Sequence, residues 1–120
     1  MATESVGVAV MLSIVENKQK YLEKLKLTVE RVHECSARHC MSVAIQEEFQ
    51  GLTIWNGHVE VFDIKGHPHA HICYAWAAAG EPAASSERFI TVLGIPPVVS
   101  PLTAVRAAIV ADTEKHFGSE

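Results

Sequence analysis

Residues 55–76 constrain the fold more than any other stretch of the chain. They run from Trp55-Asn56-Gly57-His58, through a valine-rich segment, to Gly66-His67-Pro68-His69-Ala70-His71 and on to Ile72-Cys73-Tyr74-Ala75-Trp76. Asn56-Gly57 is a tight-turn dipeptide, because both residues tolerate positive φ. His58 to Ile64 is rich in β-branched and aromatic residues and reads as a strand. Lys65-Gly66-His67-Pro68 reads as a second turn. Ala70 to Ala78 is the next strand, with Ile72, Tyr74 and Trp76 on one face, since side chains alternate along a strand. Connections this short make the strands antiparallel, because a parallel crossover needs a dozen or more residues.

The flanks complete the pattern. From about Leu12 to Glu34 the apolar residues Val15, Leu22, Leu25, Val29 and Val32 recur at helical spacing and form one stripe, with lysines and glutamates around the remainder. That stripe serves either as the face a helix lays on its own sheet or as a seam between two subunits. Met41 to Phe49 changes period: Val43, Ile45, Glu47 and Phe49 share one row, which predicts a strand. Gln50-Gly51 breaks it, and Leu52 to Trp55 resumes an extended run. Gly80 to Glu87 reads as a loop, and Arg88 to Ile95 as the last strand, closed by Pro96-Pro97. Ser100-Pro101 is a helix start, with a hydroxyl at the N-cap and proline in the first turn. Leu102, Val105, Ile109 and Asp112 mark one face of this helix, four alanines keep it slim, and Gly118 is its expected end.

The order is helix, antiparallel meander of three to four strands, helix. This is an α+β domain, and two helices on one face of the sheet would make it a two-layer sandwich. With 120 residues, 48% of them hydrophobic and 20% charged, residues 1–120 fit a single domain with a core of its own. The net charge of −4 comes without any basic stripe, which argues against nucleic acid and against an anionic membrane surface. The apolar run from Val6 to Ile14 lacks a preceding Lys or Arg, and is too short to span a bilayer. It reads as a buried or partner-covered segment. Cys35, Cys40 and Cys73 are odd in number and form no CxxC pair, which suits reduced thiols in a cytoplasmic protein.

The run Gly57-His58-Val59-Glu60-Val61-Phe62-Asp63-Ile64-Lys65-Gly66-His67-Pro68, then Cys73-Tyr74-Ala75-Trp76, Arg88-Phe89 to Val92-Leu93, Pro96-Pro97-Val98, Ser100-Pro101 and Ala104-Val105 to Val110 resembles a family of small uncharacterised bacterial proteins. Many of these are encoded as gene cassettes of integrons, in mobile DNA. The resemblance covers about residues 35–115. It implies a family membership and brings no activity, cofactor or catalytic residue with it.

Four constellations carry candidate chemistry. His67, His69 and His71 form HxHxH; on a strand, His69 and His71 would project to one side about 6.5–7 Å apart and could converge on a zinc-like ion, with a solvent-facing row as the plainer alternative. Glu47, Glu60 and Asp63 lie on strands such that one carboxylate is carried towards whichever face is buried, where a neighbouring histidine such as His67 would make it a general acid or base. Cys73, two residues from His71, is a candidate thiolate. Trp55, Phe62, Tyr74 and Trp76 are either core residues or the walls of an apolar pocket for a small organic ligand. No phosphate-cradling glycine loop is present.

The leading expectation is a small cytoplasmic binding protein, non-enzymatic, without a cofactor, and paired with itself as a homodimer. The alternative is a ligand-binding domain or enzyme with a pocket between sheet and helices that uses a carboxylate and a histidine.

Overall fold

The computed structural model describes residues 2–78 and 88–117, with side chains for residues 16–78 and 88–112. The expected loop at 80–87, the helix end at Gly118, and the side chains of Val15 and the Val6–Ile14 run lie outside these. The element order is α1 (Ala2–His33), β1 (Ser36–Phe49), β2 (Leu52–Lys65), β3 (Ile72–Ala77), β4 (Phe89–Leu93) and α2 (Pro101–Phe117). The four strands form one antiparallel sheet in the order β1-β2-β3-β4, the expected α+β meander.

Helix α1 begins well before Leu12, and its end is built by backbone geometry. Glu34 takes a left-handed φ of 52°, and the Cys35 N–H donates to the Glu30 carbonyl at 3.3 Å. That is the bond pattern of a Schellman stop, satisfying a carbonyl the helix would otherwise leave open. The chain then enters β1 at Ser36, five residues before the expected Met41. The stripe that α1 buries is Leu25 and Val29, flanked by Tyr21. Val32 is 54% exposed, so the expected stripe drifts off the contact at its last member.

The tight turn lies at Gln50-Gly51, not at Asn56-Gly57. Gln50 and Gly51 have φ of 53° and 80°, the two positive values a two-residue hairpin demands. Asn56 and Gly57 instead continue β2 in register with Gln46 and Ile45. Gly57 answers a different need: a Cβ there would stand 3.1 Å from Cη2 of the Trp55 ring, which folds back over the strand. The hairpin carries two bulges, since Cys40 on β1 and Ile54 on β2 are skipped in the pairing.

The layering also differs from expectation. Phe62, Ile64, Cys73 and Ala75 face α1 and pack on Leu25 and Val29. Val59, Val61, Tyr74 and Trp76 face the other way and pack on Ala104 and Val105 of α2. The two helices therefore cover opposite faces, giving helix, sheet, helix. The cause is that β2 and β3 are apolar on both faces, and each fully buried large side chain contributes roughly 1.5–3 kcal/mol only if something covers it. Ser100 caps α2: its Oγ accepts from the Thr103 N–H at 3.2 Å, while Thr103 Oγ1 accepts from the Ser100 N–H at 2.9 Å.

Candidate functional site

On β2 the residues facing α1 are Glu60, Phe62 and Ile64. The last two are core; Glu60 is the one charged side chain buried among the described residues, 3% exposed. It is held from β1. His39 Nε2 lies 2.8 Å from Glu60 Oε1, and the Ser42 hydroxyl donates to the same oxygen in a short contact. With the acid ionised, Nε2 is the protonated nitrogen of His39. The imidazole also stands edge-on to Phe62, centroids 5.4 Å apart, which fixes its plane.

Residues three apart on a regular strand point to opposite faces. His39 and Ser42 meet on one carboxylate because the Cys40 bulge lies between them. It resets the alternation, so that both the His39–Phe62 and the Ser42–Glu60 pairs present to the α1 side.

Beyond Glu60, α1 and the outer half of β2 diverge around a cleft of about 830 Å³. Lys18 and Tyr21 of α1, Trp55, His58 and Glu60 of β2, and Ala77 of β3 contribute to its wall. The Tyr21 hydroxyl accepts from the Ala77 N–H at 3.0 Å and ties the helix to the sheet at the inner end. Both donors to Glu60 reach Oε1, and Oε2 has no hydrogen-bond partner among the described residues. Trp76 Nε1 is the only fully buried side-chain polar atom there without a partner. Oε2 is therefore not fully enclosed, and Glu60 is among the residues that line the cleft. The arrangement offers a desolvated carboxylate with one free oxygen. It offers no serine nucleophile, because Ser42 gives its proton to the acid and not to the imidazole.

The other predicted carboxylates are engaged. Glu47 sits in the apolar row as expected, and there pairs with Arg106 of α2; the guanidinium holds its carboxyl below the usual range. Asp63 pairs with Arg38 at 2.9 Å near the opposite end of the hairpin, and its carboxyl is lowered first by that guanidinium and then by the Cys40 thiol. Asp63 shares the wall of a second cleft, of about 430 Å³, with His71 and Arg38, but the guanidinium already engages its carboxyl.

The histidine row is not a strand row, because β3 begins only at Ile72. His67 Nδ1 accepts the N–H groups of His69 and Ala70 at 3.0 and 3.2 Å, so it closes the turn. Its ring lies 6.4 Å from that of His33 and 6.1 Å from that of His69. His69 and His71 are exposed. Among the described residues no group of three or more His, Cys, Asp or Glu side chains is arranged to hold a metal ion. The three cysteines are free. Burial pushes the Cys73 thiol up to about 12, so His71 does not make it a thiolate, and burial also raises Cys35 and Cys40.

Of the four aromatics, Phe62 belongs to the α1 core, and Tyr74 and Trp76 to the α2 core, where Trp55 meets Trp76 edge-on at 5.8 Å. Sequence reasoning found Glu60 and the aromatics but missed His39 and Ser42. The only available signal was their closeness to the helix end, His39 just before the segment read as strand and Ser42 its second residue. Among the described residues no helix is long and apolar enough to cross a membrane. A scan of protein-family models, a search of curated proteins and a search of solved structures each found no match to this chain.

Proposed function

We propose that the protein binds a small organic molecule bearing a protonated amine in the cleft between α1 and the sheet, with Glu60 as the anchor. The observation that carries this reading is the buried carboxylate in the wall of a cleft of ligand size, with one oxygen held by His39 and Ser42 and the other without a hydrogen-bond partner among the described residues. A charge withdrawn from water is retained at a cost, and an incoming ammonium is the partner that offsets it best. Lys18 also borders the cleft, but it is exposed, so water and salt screen it far more than they do Glu60. Tyr21 and Ile54 supply apolar wall for the body of the ligand. Three free thiols favour a reducing, cytoplasmic setting.

The test is calorimetric, with indole-3-ethylamine and its neutral analogue indole-3-ethanol. The amine binds at least about tenfold more tightly, and Glu60→Gln removes that preference while leaving the weak alcohol affinity in place. Equal affinity of the two probes for the wild-type protein would refute the reading.

Self-association is a second reading, supported by the hairpin tip. Phe49, Leu52 and Ile54 are all largely exposed around the Gln50-Gly51 turn, where β2 has run beyond its ladder with β3. An apolar cluster of this kind marks a contact surface. Light scattering at tens of micromolar should give the mass of two chains, and Leu52→Asp should return it to one; a monomeric wild type sinks this reading.

A further inference from the structure

The face of the sheet opposite Glu60 carries a second site. A groove of about 640 Å³ runs under α2, with Trp55, Trp76, Ile90, Val92, Val105 and Ala108 among its walls. It exists because the helix presents small residues: Ala104 is fully buried, and Ala107 and Ala108 pack on the sheet without filling the space beside it. Trp76 is 2% exposed, and its indole Nε1 is buried with no acceptor among the described residues. Buried donors are almost always paired, so an unpaired one on a residue that lines a groove points to a missing acceptor. Arg88 and Asp112 border the groove with opposite charges, and neither sign of ligand charge is selected.

We infer that this groove binds a neutral, mainly apolar small molecule whose carbonyl or ether oxygen accepts the hydrogen bond of Trp76 Nε1. The partly exposed Trp55 in the wall favours a flat ring system. An ammonium finds no carboxylate partner beyond the exposed Asp112, so the two sites differ in ligand class: cations at Glu60, neutral acceptors at Trp76.

The probes are 2-acetylnaphthalene and 2-ethylnaphthalene, which differ in the acceptor and little in shape. Titration of the full chain is followed by nitrogen–proton correlation spectra, with calorimetry for affinity. The ketone moves the Trp76 indole N–H resonance downfield and binds at least about tenfold more tightly than the hydrocarbon. Trp76→Phe keeps a ring and removes the donor, so it brings the ketone down to the affinity of the hydrocarbon. Ala108→Leu fills the groove from the helix side and abolishes both, and it tests the site even if Trp76→Phe fails to fold. An unmoved indole resonance on saturation with ketone, equal affinities for the two probes, or binding unaffected by Ala108→Leu would each overturn the assignment. Failure of these probes leaves the Glu60 reading standing, since Glu60→Gln is silent here.

Discussion

Replacing Glu60 by methionine separates a carboxylate kept for binding from one kept for folding. The side chain is 3% exposed, and methionine fills nearly the same volume with a flexible apolar chain. Two hydrogen bonds to an ionised acceptor are lost, each worth about 1.5–3 kcal/mol. Against that, a buried charge is removed whose desolvation costs several kcal/mol, so the terms nearly cancel and the net change falls within about 2 kcal/mol of zero. The partners decide the sign of the remainder. His39 retains 28% side-chain exposure and Ser42 is exposed, so both turn to water when the acid is gone, and neither becomes an orphaned buried donor.

Urea unfolding followed by circular dichroism measures the change, and the slope of the transition checks that the denatured state is comparable. Stability within about 2 kcal/mol of wild type, joined to loss of amine binding, is the expected pair of results. A loss above about 4 kcal/mol would mean that Glu60 is a structural keystone, and the reasoning from its free oxygen would fail.

Two further outcomes follow from the same structure. Leu25→Ala costs about 2–5 kcal/mol because the residue is fully buried, whereas Val32→Ala, on the same sequence stripe but largely exposed, changes stability by less than about 0.5 kcal/mol; equal effects in urea unfolding would contradict the observed helix orientation. His33 is depressed below its ordinary 6.5 by burial and then by the nearby His67, so the unfolded chain binds more protons than the folded one just below that pH. Stability supplied by neutral His33 is present above 6.5 and is lost as the pH falls through the folded value. Unfolding midpoints at pH 7.5, 6.5 and 5.5 should drop accordingly, less so in His33→Gln; identical slopes in the two proteins would refute this.

The class and order of elements were legible because strong local signals agree: the helical stripe, the β-branched run at 58–64, and Ser100-Pro101 before the last helix. The layering was also present in the letters, as Val59-Glu60-Val61-Phe62 and Cys73-Tyr74-Ala75-Trp76 are apolar on both parities. A strand with one wet face would alternate. Asn56-Gly57 misled because a glycine in a strand run has two causes, a turn or a close approach, and only the ring of Trp55 in space distinguishes them. The histidine row misled because Pro68 was placed in a turn that ends two residues too soon. His39 and Ser42 were invisible for a stronger reason: their partnership depends on a bulge, and an extra residue leaves no mark on composition or period.

That bulge also argues that Glu60 is not an accident of packing. A regular β1 would send either His39 or Ser42 to the α2 face and leave Glu60 with one donor in a position where two are needed to hold a buried charge. Both the bulge and the buried acid weaken the sheet locally, at a place where an apolar residue opposite a regular strand would strengthen it. Two core clusters, one on each face, supply the stability that tolerates this. Local departures from the stabilising rule that reinforce one another, and that converge on an open cleft, are the physical mark of a site.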